Sequence, residues 1–450
     1  MSRVLLLMLA VLLSVSCRPG GRELTCNYNA ADISTVEGEH TVLAGFAARK
    51  GLSTELHQPL NTHCLVFSDG TDKVCFISND LMEISPDISL EWRKEISEKS
   101  GLPLDRIFMH CTHTHSAPRN GGSALEEGGS NWTHKQRLRK TLVETAVKTI
   151  TDDAAFRPFR MEVGKAQTDI NINRCERETG PVDRDVQVLR IFEKKTDKPL
   201  VAIVNLACHP VCMGSRSLLV SSDYPGVAGR ILREAWGGDV FQFTGASGNM
   251  DPVRGPRDVG YAEEAGRSLA DSIMTIEFSR VRSTGEFKVA TDTVRLPFRI
   301  AAISPEAIEA HAAEIAAWGV SVSSTWAEDV EGWKELILSR FAEGKIEDTL
   351  PFTLGAVNID GILFFFTQGE PFCEYQTLAR RNFPGRTIFF TGYTNGQNSY
   401  LPSAHAFAYK KGYEYEIDQM HVYIKAPYPL SENMPAAYSE AIDHTIRKVL

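Results

Sequence analysis

Residues 108–120 read "FMHCTHTHSAPRN". The stretch closes an apolar run, sets three histidines into positions 110–115, and passes into a loop of small residues and proline. Read as a strand over 106–112 and its continuation, side chains alternate between two faces. Met109, Cys111, His113 and His115 then share one face, and His110, Thr112 and Thr114 share the other. His113 and His115 can act together, while His110 is set apart. A single histidine at a strand end is commonly a packing residue. Two on one face, ahead of a small-residue loop, point to a site.

Working outward, the same arrangement recurs four times. In "VNLACHPVCMG" an apolar strand ends at His209, and Pro210 stops the strand and holds the histidine at its exit. In "FFFTQGEPFCEY" the run Ile362–Phe366 ends at Gly369-Glu370, and Pro371 suits the first position of a helix. Glu370 taken alone reads first as a carboxylate capping that helix. "TIFFTGYTNGQNSYLPS" ends a strand in a Gly/Asn-rich loop carrying Tyr393 and Tyr400. "FQFTGASGNMDP" ends one in a small-residue loop closing at Asp251-Pro252, where backbone can approach a ligand. That loop lacks the glycine spacing and Lys-Ser/Thr pair of a phosphate loop. His134, at a helix start, reads as a surface residue.

Polar groups that follow apolar strands fit sheets whose sites form at the carboxyl ends of strands. Two histidines, a glutamate and a phenol are suitable zinc ligands if they converge. They would leave a position for water, whose pKa zinc lowers to about 7. Spacing does not establish convergence, since the residues run from 113 to 400.

Short apolar runs alternate with amphipathic stretches from residue 41 onward, after an irregular lead-in over 22–40. Strands are expected at 63–68, 74–79, 106–112, 186–192, 200–207, 239–244, 286–296, 354–359, 362–367 and 386–391. Helices are expected at 88–100, 134–150, 225–236, 260–277, 305–317, 326–342, 371–382 and 431–449. This mixture predicts an α/β (mixed α+β) fold, with one large mixed sheet flanked by helices and the active site at the strand C-terminal ends. Residues 301–345 form two helical segments in succession, a helical insertion or cap. Its Trp318, Trp326 and Trp333 either pack the helices together or line an apolar groove.

The chain has 450 residues, 23% charged and 43% hydrophobic, an ordinary globular composition. A net charge of −9 argues against a nucleic-acid partner. Residues 1–17, "MSRVLLLMLAVLLSVSC", place Arg3 before an apolar run from Val4 to Leu13 and then small residues, the pattern of a secretory signal. Cys17 resembles the lipid-modified cysteine of bacterial lipoproteins, although Ser14 stands where that pattern usually has leucine. The expectation is an exported chain at the periplasm or cell surface, with a lipid anchor at Cys17. No transmembrane span is expected in the mature chain, and residues 22–450 are read as one catalytic domain. Eight further cysteines follow, at 26, 64, 75, 111, 175, 208, 212 and 373. Cys64 and Cys75 bracket a hairpin with an Asp69-Gly70 turn and could pair across it. Cys208 and Cys212 flank "HPV" without the second such pair a zinc ribbon needs. Buried free thiols are the expected state for most.

Taken together, "THTHSAP", "ACHPVCMG", "SSDYPG", "GASGNMDP", "QGEPF" and "NSYLP" resemble, in order, the neutral/alkaline non-lysosomal ceramidase family. The early "AGFAARKG" and "VCFISNDLMEIS" extend the resemblance over roughly residues 40–425. The resemblance implies a zinc amidase with one Zn2+ per chain, acting on a small-molecule or lipid substrate. It implies His113, His209, Glu370 and Tyr400 as metal ligands, His115 at the reacting carbonyl, and Arg174 of "NINRCE" in the substrate site. Metal-activated water would attack an amide carbonyl, with the metal and His115 stabilising the oxyanion.

The chain departs from the family at two points. The family's catalytic serine lies in a Gly-Asp-x-Ser-Pro loop, and here Asp251 takes that place, with Ser247 out of register. Asp251 is then a candidate base toward the water or a group that orients substrate. The chain also ends where the catalytic part ends, without the additional β-sandwich domain of ceramidases. A hydrolase of another bond, such as an ester or a glycan-linked group, therefore stays open beside the amidase. A non-catalytic exported binding protein is the third reading, and retention of all four candidate ligands argues against it.

Overall fold

The computed structural model describes residues 23–120, 127–253, 255–300, 302–319 and 325–450. The expected signal segment and Cys17 lie outside the described residues. The expected large mixed sheet forms, and a smaller second sheet packs against it. The larger runs in the order Asp239–Thr244, Pro199–Leu206, Asp185–Glu193, Arg157–Gln167, Thr25–Asp32, Asn61–Ser68, Lys73–Asn79 and Ile107–Cys111, with the short Ser279–Arg280 paired to strand 157–167. It is parallel only at its two ends, between 239–244 and 199–206 and between 73–79 and 107–111. The second sheet orders Phe287–Pro297, Thr349–Ile359, Ile362–Thr367 and Thr387–Thr391, the last two parallel.

The sheets meet through an aromatic layer. Phe67, Phe76, Phe108 and Phe243 of the larger sheet pack with Phe364, Phe366 and Phe389 of the smaller. The Phe76 ring centre lies 4.9 Å from that of Phe366, and Phe108 stacks on Phe366 at 4.5 Å. Helices cover the outer faces. Pro86–Ser100 and Trp132–Thr151 bury Trp92, Ile96, Leu138 and Leu142 against one end of the larger sheet. Asp223–Trp236 and Val259–Met274 cover its other end. Cys373–Asn382, Met434–Arg447 and the inserted helices cover the smaller sheet. The expected large mixed sheet is present, and a smaller second sheet packs on it because "ILFFFT" and its neighbours are apolar on both faces. Such runs say that a strand is buried, not which sheet it joins.

The irregular lead-in over 22–40 also contains a strand, Thr25–Asp32, central in the larger sheet. Its sequence "TCNYNAAD" carries no hydrophobic alternation, because its burial comes from the neighbours it pairs with and from Asn27 donating to Thr149 O at 2.9 Å. The hairpin at 68–73 forms as expected, with Gly70 at φ +86°. Cys64 and Cys75 sit diagonally across it, their sulfurs 3.5 Å apart, and all eight described cysteines are free thiols.

The inserted helices, Pro305–Ala316 and Trp326–Ala342, interrupt two paired strands, 287–297 and 349–359. Trp326 and Trp333 are core residues, each indole donating 2.7 Å to a main-chain oxygen, of Ile315 and Ala426 respectively. They pack the insertion down and do not line a groove. His134 is likewise buried rather than exposed, held by Arg137 at 3.0 Å and near Glu39. Among the described residues, no helix is long and apolar enough to cross a membrane.

Five strand ends converge at one place, where main-chain and side-chain bonds stitch the sheets together. Cys111 N donates to Tyr393 O (3.1 Å), Gly392 N to Thr244 O (3.1 Å) and Gly248 N to Pro371 O (2.9 Å). The buried Asn205 amide donates to both Phe243 O and Phe390 O at 2.9 Å. A sheet alone does not bring 107–111, 199–206, 239–244, 362–367 and 387–391 together. The face-to-face packing of two sheets does.

Candidate metal centre

His110 shows first what the site excludes. Thr244 N–H donates to its Nε2 (3.1 Å), so the ring proton lies on Nδ1, facing Ser78 Oγ at 3.0 Å. Ser78 Oγ in turn donates to Gln242 O at 2.8 Å. His110 is a structural rivet between strands 107–111 and 239–244, and burial drives its pKa well below the ordinary imidazole value.

The alternation that separated it from His113 and His115 does not reach those residues. The strand ends at Cys111, and His113 takes a left-handed backbone, φ +70°. That turn, fixed by His113 N donating to Leu81 O (2.8 Å), aims the His113 ring inward. His115 is held by Arg49, whose guanidinium bonds His115 O and Ala44 O at 2.6 Å and Gly214 O at 3.1 Å. Gly45 lies against the His115 ring so closely that a β-carbon there would fall 2.2 Å from Nδ1. Phe46 packs edge-on to the ring at 5.0 Å. The early "AGFAARKG" element thus forms the seat of His115.

His113, His115 and His209 each offer a nitrogen, all within 4.8 Å of one another. His113 Nδ1 faces Met82 O at 2.8 Å, and His209 Nδ1 faces Ser247 O at 2.7 Å and Met250 O at 3.1 Å. Carbonyl oxygens only accept, so both rings carry their proton on Nδ1 and present a lone pair at Nε2. Both Nε2 atoms aim at the Glu370 carboxylate, His209 at 3.1 Å and His113 at 3.4 Å from Oε2. Three acceptors pointing at one another repel unless a cation lies between them. The donor set therefore fits a metal ion, and a buried position with fixed tautomers is how such ligands are oriented. Burial pushes His115 well below an ordinary imidazole, so the ring is neutral.

The remaining expected residues flank this cluster. Tyr400 pairs with Glu370 on a short parallel ladder, 370–371 with 400–401, and is buried. Its ring lies under the Arg174 guanidinium at 5.2 Å. Arg174 bonds Glu416 at 2.8 Å and lies 3.9 Å from Asp251. Strand 171–173 pairs with 250–252, which sets Arg174 and Asp251 side by side. Asp251 sits toward the Nδ1 side of His209 (4.0 Å), not at the Nε2 face where the lone pairs converge. Arg257 also bonds it, at 3.1 Å. Burial would raise its carboxyl, but Arg174, His209 and Arg257 together keep it below the usual range, so it stays ionised.

The sequence reading gives Tyr393 and Ser247 no role and does not single out Gln397 or Glu416. Tyr393 OH donates to Glu370 Oε2 at 3.3 Å, and its ring stacks on His113 at 4.2 Å. Gln397 donates to the other Glu370 oxygen. Ser247 and Glu416 complete the surround. The Gly/Asn-rich loop after strand 387–391 was the only signal for Tyr393 and Gln397, and it did not separate Tyr393 from Tyr400.

The fold and the cluster define a two-sheet α/β protein with a buried candidate metal centre at its strand ends. Residues 28–248 match the model of the family described as neutral/alkaline non-lysosomal ceramidase, N-terminal, and over these residues the chain is assigned to that family. The match includes His113, His115, Arg174 and His209, and ends before Asp251, Glu370 and Tyr400. Among solved structures, the chain is similar to the neutral ceramidase of Pseudomonas aeruginosa. That alignment has 17% identity and a TM-score of 0.66, over 93% of this chain and 73% of the other. A ceramidase complexed with C2 matches at 15% identity and a TM-score of 0.65, over 93% and 74%. At these identities the likeness concerns the fold.

Proposed function

We propose that the chain is a zinc-dependent hydrolase that cleaves an N-acyl linkage of the ceramide type. The family carries hydrolase activity as an implication. The single observation that supports the metal reading is the convergence of His113 Nε2, His209 Nε2 and the Glu370 carboxylate, whose lone pairs need a cation among them. His113, His209 and Glu370 would hold the ion, with Tyr400 as the fourth ligand. When bound, the ion supplies Lewis acidity and brings ionisation of a water into the neutral range.

The chain's own residues do the rest. The main-chain oxygens of Met82, Ser247 and Met250 keep both imidazole lone pairs aimed at the metal position. Neutral His115, its Nε2 3.3 Å from that of His113, can offer an N–H to an acyl oxygen on the cluster. Such a bond strengthens as charge develops on that oxygen. Arg174, anchored by Glu416, binds the polar part of the substrate. Asp251, ionised between two guanidiniums, fixes Arg174 and the His209 loop and does not supply a proton. It takes the place of the family's serine, so hydrolysis of esters is the second reading.

Metal analysis of the purified chain tests the centre. One zinc per chain is expected, and it should be lost in a His113→Ala/His209→Ala variant. Absence of zinc from the parent, or its retention in that variant, refutes the centre. A hydrolysis screen of N-acyl sphingosines, N-acyl amino acids, N-acyl amino sugars and esters tests the bond. Cleavage of esters alone would replace the amidase reading. We also propose export with a lipid anchor at Cys17, supported by the sequence of residues 1–17. Mass analysis of the mature N-terminus checks it, and an unprocessed Met1 terminus would refute it.

A further inference from the structure

The hydrogen bonds around Glu370 have assignable directions. A carboxylate oxygen accepts, so Tyr393 OH donates to Glu370 Oε2 at 3.3 Å. The phenol oxygen is then free to accept, and Ser247 Oγ, 2.6 Å away, donates to it. The carbonyl of the same Ser247 accepts from His209 Nδ1–H at 2.7 Å. One residue therefore holds His209 through its backbone and, by way of Tyr393, holds Glu370 through its side chain. The Tyr393 ring adds a third contact, stacking on His113 at 4.2 Å with 30° between planes.

Tyr393 is held for this. It keeps a left-handed backbone, φ +51°, that a tyrosine rarely adopts. Its N–H donates to Gly369 O (3.0 Å), beside Glu370, and its carbonyl accepts from Cys111 N (3.1 Å), two residues before His113. Ser247 and Tyr393 are both buried. Under the proposed function only the Ser247 carbonyl has a role, toward His209, and neither side chain is used, Tyr400 being the liganding phenol.

We infer that Ser247 and Tyr393 form a positioning relay that fixes His209, Glu370 and His113 relative to one another in the geometry that takes a divalent ion. The inference rests on the proposed metal reading of this cluster. It does not make Tyr393 a ligand. It makes Tyr393 the group that stops the Glu370 carboxylate from rotating away from the two Nε2 atoms. Partners that orient metal ligands in this way set affinity by about 10–100-fold.

The test is zinc affinity, measured by competition with a chromophoric chelator on the full chain. It compares the parent, Tyr393→Phe, Ser247→Ala and the double variant, with urea midpoints recorded in parallel. Tyr393→Phe keeps the stacking ring and loses only the hydroxyl, so the fold should hold. Zinc affinity should fall about 10–100-fold. Ser247→Ala should weaken zinc in the same direction. The double variant should be no weaker than Tyr393→Phe, because the two groups act in series. In the cobalt-substituted protein the visible bands of Tyr393→Phe should shift, which a loss of packing elsewhere would not cause. Equal zinc affinity in parent and Tyr393→Phe overturns the relay and leaves the metal reading intact. Fully additive losses in the double variant overturn the serial arrangement. A parent that binds no zinc overturns the metal reading and the relay with it.

Discussion

Gly45→Ala should disable the site without touching any candidate ligand. A β-carbon at this position would lie 2.2 Å from His115 Nδ1, 2.3 Å from Cγ and 2.7 Å from Cβ. Ordinary contact begins near 3.5 Å, so the ring must retreat by on the order of 1 Å. It cannot retreat freely, because Arg49 clamps the His115 carbonyl and Phe46 packs against the ring. Displacement by about 1 Å of a group positioned at the reacting atoms costs about 100-fold in rate. Gly45 also has φ +95°, where alanine is strained, which adds about 1–3 kcal/mol of instability. The assay is kcat/KM on the best N-acyl substrate from the screen, with zinc content and a urea melt on the same samples. A fall of about 100-fold with zinc retained is expected, since His113, His209 and Glu370 are undisturbed. His115→Ala removes the two closest atoms of the collision. Adding Gly45→Ala to it should therefore change kcat/KM little, and residues in contact are expected to be non-additive in this way. Wild-type kcat/KM in a folded Gly45→Ala variant would refute the placement of His115 at the reacting carbonyl. Loss of zinc together with activity would make His115 a ligand instead.

Three further outcomes follow from the packing. His110→Ala leaves the Thr244 N–H buried without a partner and should cost about 3 kcal/mol in urea unfolding while zinc affinity is unchanged, and zinc loss would show that His110 serves the site. Because burial drives the His110 pKa far down in the folded chain, the unfolded chain binds the extra proton below about pH 6.5. Stability should fall as the pH drops through that value, with His110 contributing a slope of about 1.4 kcal/mol per pH unit. A His110→Phe variant should lose that part of the slope between pH 5 and 6.5, and parallel profiles would refute the assignment. Trp333→Ala removes a buried indole and its bond to Ala426 O, for a loss of about 3–5 kcal/mol. The same variant should keep the substrate profile, and a changed chain-length preference would return the insertion to the role of a groove.

The sequence by itself determined where polar groups leave the apolar strands along the chain. His209 before Pro210, Glu370 between Gly369 and Pro371, and the histidines after strand 107–111 all follow apolar runs. Strand ends are local features, written in periodicity and in the residues that stop a strand. The helical insertion and its boundaries were legible for the same reason. What the tertiary structure decided is everything set by packing at a distance. The second, smaller sheet, a central strand with no alternation at Thr25–Asp32, and burial of His134 and Trp333 depend on partners far away in the chain. The left-handed turn at His113 replaces the strand alternation that first grouped it with His115. Tyr393 and Tyr400 share one loop and one composition. The parallel pairing of strands 362–367 and 387–391 puts the Tyr393 hydroxyl on Glu370, and the packing of segments from the two sheets puts the Tyr400 ring beneath Arg174. Periodicity can say that a side chain leaves a strand, but which carboxylate it meets is fixed by strand pairing and sheet packing between segments far apart in the chain.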